Sequence, residues 1–263
     1  MDLGIAGKIA FVGASSRGLG RAAAEALAAE GADLVMCARG AESLGKAASA
    51  VRDTYGVRVV DVQADLAVPA DVERALAAGR DELGNYDVLV TNIGGPPAGP
   101  FEAFSPEDWR AAVAQNLESV LNLTRGVLAP MKERGWGRII NITSIAVKEP
   151  IPNLMLSNSV RAAVTGFAKT LAGELAAHGI TVNNVMPGYT RTDRIVELSE
   201  KNAALHGTTP DQELKRWSDQ IPMGRVGEPP ELGALVAFLA SQQAGYITGA
   251  SIPVDGGWLR ALV

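Results

Sequence analysis

The sequence has 263 residues, 47% of them hydrophobic and 20% charged, with a formal net charge of -5. That length suffices for one large α/β domain with a sizeable core and excludes a disulfide-framed miniprotein, while the composition is too apolar for disorder and too acidic for a general nucleic-acid binder. Cys37 is the sole cysteine and His178 and His206 are the sole histidines, so no metal site is expected, and with neither a leader pattern nor a membrane-length apolar run the expected setting is cytoplasmic, away from nucleic acid and membrane.

In chain order, short apolar runs bounded by Gly or Asp predict strands at Lys8–Gly13, Asp33–Ala38, Arg58–Val62, Asp87–Thr91, Arg138–Thr143, Thr181–Met186 and Ala250–Val254. Between them, apolar residues at helical spacing predict helices at Leu19–Glu30, Asp71–Leu83, Pro106–Arg134, Val160–His178 and Pro230–Ser241. Alternating strands and helices imply right-handed βαβ units. The expected fold is therefore α/β: one Rossmann-type doubly wound domain over residues 1–263, with a seven-stranded parallel sheet and helices on both faces. The alternation breaks between Gly188 and Pro229, where charged residues crowd a segment without a strand pattern. This insertion, 188–229, reads as a mobile cover over a substrate site; its helical parts, Asp193–Ala204 and Pro210–Gln220, are equally compatible with a plain solvated helix pair.

The first strand runs into Gly13-Ala14-Ser15-Ser16-Arg17-Gly18-Leu19-Gly20. Glycines at a strand-to-helix turn let the backbone approach a pyrophosphate, whose charge the helix N-terminus favours, although a tight turn needs glycine with or without a ligand. The second strand ends in Ala38-Arg39, where an NAD-selective site would carry an acid for the ribose 2′-hydroxyl. Arg39 and Arg17 instead suit a 2′-phosphate, which points to NADP(H). Asp65-Leu66, beyond the third strand, fits either an adenine contact or a helix cap.

Together with later elements, these residues resemble the short-chain dehydrogenase/reductase family, in its 3-oxoacyl-ACP-reductase-like form, and the likeness spans essentially the whole chain. Asn92-Ile93-Gly94-Gly95 is similar to the family's Asn-Ala-Gly element, and Pro187-Gly188 with Thr190 and Thr192 resembles its nicotinamide-binding turn. Asn116 matches the asparagine that holds a proton-relay water, and Ser144 the serine that orients substrate. The tail from Ile247-Thr248-Gly249 to Val254-Asp255-Gly256-Gly257 is similar to the family's last strand. The resemblance implies an oxidoreductase acting on a small carbonyl or alcohol, and a homotetramer built through the long helices.

The chain departs from that family where Tyr-x-x-x-Lys is usual: it reads Ser157-Asn158-Ser159-Val160-Arg161, and its tyrosines, Tyr55, Tyr86, Tyr189 and Tyr246, all lie elsewhere. A serine hydroxyl is far less acidic than a phenol, and a guanidinium does not act as a base. Arg161 can still stabilise a developing alkoxide from the helix face it shares with Ser157, unless it is merely a surface ion-pair partner and Ser157 a helix cap. Lys148 is the nearest titratable donor to Ser144, as shuttle or solvated loop residue, and Tyr189 is a further phenol. Arg191 and Arg194 suit either an acidic substrate group or solvent, and Pro96–Phe101 with Trp217, Ile221 and Met223 either an apolar pocket or core. Three functions remain open: an NADP(H)-dependent oxidoreductase with an atypical Ser/Arg site, a non-redox lyase, dehalogenase or isomerase on the same scaffold, and a catalytically silent NADPH-binding subunit.

Overall fold

A computed structural model describes residues 2–262. Its strands are β1 (Ile9–Val12), β2 (Asp33–Ala38), β3 (Val59–Gln63), β4 (Val88–Thr91), β5 (Gly137–Ile142), β6 (Ile180–Pro187) and β7 (Ser251–Val254). They form one parallel sheet in the order β3-β2-β1-β4-β5-β6-β7. Both faces are covered because side chains alternate. Ala10, Val12, Leu34 and Met36 pack towards α1 (Gly18–Ala29), α2 (Ala41–Tyr55) and α9 (Pro229–Ala240), whereas Phe11, Val35, Leu89 and Ile139 pack towards α3 (Pro69–Leu83), α5 (Ser119–Arg134) and α6 (Met155–Leu175).

The helix expected over Pro106–Arg134 is interrupted. Ser105 and Asp108 form a reciprocal cap for α4 (Pro106–Val113), a single π-helical turn spans Ala114–Glu118, and α5 follows. The wide turn carries Asn116 inward, 4% exposed, and it is the kind of insertion that concentrates at functional sites. The segment 188–229 holds α7 (Asp193–His206) and α8 (Pro210–Gln220), the latter capped by Thr209 and Gln212. Despite its charge, the segment contributes to the core: Ile195 and Ala203 of α7 and Trp217 of α8 form docked apolar stripes, and Ile221 and Val226 beyond α8 are also buried.

Sheet order reverses between β1 and β4, so the following chain segments leave to opposite faces and open a crevice at the strands' C-terminal ends. Among the described residues, no helix is long and apolar enough to cross a membrane.

Candidate active site

That crevice is a cleft of about 460 Å³. The glycine turn forms one wall. Gly20 lies so close to the Ala14 carbonyl, and Gly13 to the Asn92 carbonyl (2.7 Å from a notional Cβ), that a side chain at either would force the turn apart. Asn92 locks this contact by donating from Nδ2 to Gly13 O at 3.3 Å and Ala14 O at 3.4 Å. Gly18, at φ +57°, and Ala14, at φ +45°, both adopt left-handed backbone, which glycine tolerates and alanine does not favour.

The expected cofactor residues divide into two sets. Arg17, Gly18, Leu19, Arg39, Asn92, Gly94, Pro187, Gly188, Thr190 and Thr192 line the cleft. Gly13, Ser15, Ser16, Gly20, Asp65 and Leu66 do not, and most of them shape the wall from behind. Ser15 is fully buried, and its Oγ accepts from Cys37 N at 3.0 Å, clamping the turn to β2. Asp65 accepts from Ala67 N at 3.0 Å in a local turn and is not the cap of α3, which is Val68, while Leu66 packs 3.1 Å from the Cβ position of Gly13. Thr192 covers the turn, its Cγ2 3.5 Å from the corresponding point at Gly18.

The opposite wall carries Ser144, Ser157 and Arg161. Ser144 lies two residues beyond β5 and caps the 3-10 turn Ile145–Val147, its Oγ accepting from Ala146 N at 3.1 Å, which fixes the rotamer. Ser157 lies inside the first turn of α6 and is therefore not its cap, which is Leu154. Arg161 is drawn inward: Nη1 donates to Ile142 O and Thr143 O, each at 2.9 Å, and Nη2 to Ile93 O at 3.4 Å. Among the described residues no carboxylate pairs with it, so the surface ion-pair reading does not hold. Burial, then the neighbouring Arg194, holds its pKa down to about 10, still cationic at neutral pH.

Two expectations need correction. Lys148 is exposed and outside the cleft wall, because the short 3-10 turn Ile145–Val147 directs the chain outward before it. Asn116 also lies outside the lining, and its Nδ2 donates to Ala112 O at 3.3 Å, across the π turn. Of the residues that suited either an apolar pocket or core, Pro96 lines the cleft and Trp217 and Ile221 are core, while Met223 is 68% and Phe101 63% exposed. Further apolar lining comes from Ile145, Ile151, Leu154, Ile195 and Leu198. Tyr189 is in the wall, stacked on Trp217 at 5.0 Å and edge-on to Trp258 at 6.1 Å, with burial raising its phenol pKa.

A buried polar ladder that sequence reasoning missed supports this wall. Thr91 donates to Asn141 (2.7 Å), Asn141 to Asn184 (3.0 Å) and Asn184 to Ser251 (3.0 Å), linking β4, β5, β6 and β7. Each residue alone reads as an unremarkable strand polar; only the register brings them into line.

Residues 13–259 match the family model described as enoyl-(acyl carrier protein) reductase. The 3-oxoacyl-[acyl-carrier-protein] reductase FabG of Escherichia coli (strain K12) is 36% identical over 251 residues, 95% of this chain and 97% of that one. L-sorbose reductase from Gluconobacter frateurii, solved with NADPH and L-sorbose, superposes at a TM-score of 0.95, with 34% identity over 100% of both chains. YwfH, an NADPH-dependent reductase involved in bacilysin biosynthesis, superposes at 0.92, with 30% identity over 97% of this chain and 99% of that one. On the match of residues 13–259, the 36% identity over 95% of the chain and the superposition over its full length, the chain belongs to the short-chain dehydrogenase/reductase family.

Proposed function

We propose that this protein reduces a small carbonyl compound through a Ser/Arg site: carbonyl, NADPH and a proton give the alcohol and NADP+, or the reverse. It is an oxidoreductase, and its cofactor is NADP(H). The site fits that cofactor, since Arg17 and Arg39 line the end of the cleft where Ala38 offers no carboxylate, and the glycine turn leaves backbone N–H groups at the start of α1. When bound, NADP(H) supplies or accepts the hydride.

The single observation that carries the Ser/Arg reading is Arg161, a cation fixed by three backbone carbonyls in the cleft wall and answered by no carboxylate. A charge held this way needs no reorganisation to meet negative charge developing on the carbonyl oxygen. Ser144, beside Thr143 whose carbonyl Arg161 holds, orients that oxygen. Ser157 adds a hydroxyl to the wall without the acidity to act alone. Tyr189, the phenol in the same cleft wall, supplies the proton; burial raises its pKa and weakens it as an acid, so transfer is driven by the much stronger basicity of the alkoxide that hydride addition creates. The segment 188–229 serves as the substrate cover, because Thr192, Asp193, Arg194, Ile195 and Leu198 all line the cleft.

Titration with NADPH, followed by its absorbance against a panel of ketones, aldehydes and quinones, tests the proposal. Turnover with tight binding is expected, and Ser144→Ala and Tyr189→Phe should each slow it. Binding without any turnover would instead identify a silent subunit, and substrate loss without NADPH oxidation a non-redox enzyme.

A further inference from the structure

The arginines around the cleft and its cover are neutralised unequally. Arg17 pairs with Asp193 and Arg191 with Glu228, each at 2.9 Å on the surface. Among the described residues Arg161 has no carboxylate partner, and Arg194 has only a long one. Their guanidinium groups converge on Gly95: Nη2 of Arg161 lies 4.0 Å, and Nε of Arg194 3.9 Å, from the point a Cβ there would occupy. Arg194 is anchored by Nη2 donating to Pro96 O at 3.1 Å, and its nearest carboxylate, that of the half-exposed Glu197, stays at 3.8 Å, beyond hydrogen-bond reach. Arg161 uses Nη1 on two carbonyls and Nη2 on a third, which leaves further N–H donors without a protein partner.

Two like charges converging on one point repel; the basicity of Arg161 is lowered mainly by burial and further by Arg194. An anion between them removes that repulsion and gains charge-assisted hydrogen bonds, with no side chain at Gly95 to occupy the space. The cofactor's phosphates have other partners available: Arg39 just beyond β2, and the backbone N–H groups of the glycine turn. Arg161 also adjoins Thr143, next to Ser144, so an anion held here sits near the reacting carbonyl.

We propose that Arg161 and Arg194 together select a substrate bearing a carboxylate close to its carbonyl, a short-chain oxo acid or the corresponding hydroxy acid. The carbonyl part rests on the hydride-transfer reading above; the acid part rests on the two guanidinium groups alone.

The protein loaded with NADP+ would be titrated calorimetrically with pyruvate, acetoacetate and levulinate, each beside its primary amide. At least one acid should bind about tenfold or more tightly than its amide, an advantage that shrinks as salt rises. Arg194→Gln should abolish the preference while leaving NADPH affinity unchanged, and Arg191→Gln, altering a charge already paired with Glu228, should leave the preference intact. Equal binding of acids and amides overturns the proposal. So does an Arg194→Gln variant that keeps the acid preference, or one that loses NADPH affinity instead, which would assign Arg194 to a cofactor phosphate. Acid preference without NADPH oxidation by any of the acids would sink the hydride-transfer reading and leave the anion site standing; turnover of neutral ketones without acid preference would do the reverse.

Discussion

On the β1–β2 side of the cleft, Arg17 and Arg39 stand exposed at the ends of elements whose cores are almost wholly apolar. On the β4–β6 side, Arg161 is drawn into the wall by carbonyls, and an amide ladder runs through the sheet beneath it. The first arrangement keeps charge separate from stability, so cofactor preference can change by surface substitution with little effect on the fold. The second binds the two together. A replacement there removes chemistry and also leaves buried acceptors unsatisfied.

The largest expected effect lies on the buried side. Arg161→Met should lower turnover on a confirmed substrate by about a hundredfold or more, as for loss of an oriented donor in a desolvated site. It should also lower the unfolding midpoint, because Ile142, Thr143 and Ile93 lose a shared donor. A variant with unchanged kcat would erase the distinction between the two sides.

Next comes the ladder itself. Asn141→Leu leaves Thr91 and Asn184 without their central partner and should cost about 2–3 kcal/mol in denaturant unfolding. A loss below 0.5 kcal/mol, on the order expected of a surface change, would show that the ladder is dispensable.

On the exposed side, Arg39→Asp should reverse the preference for NADP(H) over NAD(H), shifting relative affinity by about tenfold or more, with the unfolding midpoint nearly constant. If the midpoint falls as far as in the ladder variant, surface charge is not separable from the fold as argued.

A smaller effect concerns the cover. Glu213 is 2% exposed; hydrogen bonds from Thr208 and then His206 hold its carboxyl below the ordinary carboxylate range. A depressed folded pKa means the stabilisation is complete above the unfolded value and is lost as pH falls through the folded one. Hydrogen-exchange protection in α7 and α8 should therefore fall once the pH drops below the ordinary glutamate range, before the sheet is affected, and Glu213→Gln should flatten that response. Simultaneous loosening of β1 would show that the cover does not open independently.

The smallest effect is a gain. Ala14→Gly relieves a left-handed alanine and should stabilise the fold by about 1 kcal/mol, which thermal unfolding would resolve. A destabilised variant would mean that the methyl group packs usefully against the turn.

Much of this protein was legible in its sequence because the signals are local. Period-two side chains on both sheet faces, the glycine turn, and the absence of an acid at Ala38 each follow from neighbouring residues, and together they determined the doubly wound fold and the NADP(H) preference. Helix α2 was not among the helices read, its mean pattern diluted by Ser, Lys and Arg, although Leu44, Ala47, Ala48 and Val51 form its buried stripe. The family pattern with its Ser157 and Arg161 departure was equally visible. Where those side chains go was not: Lys148 is four residues from Ser144 and turned out exposed, whereas Arg194, 98 residues away from Pro96, lies against it. Sequence separation measures reach only along one element, whereas burial, register and the crossing of the cover over the cleft are set by packing between elements. The carbonyls around Arg161, the amide ladder and the convergence on Gly95 were therefore decided only when the tertiary structure brought distant backbone and side chains to the same point.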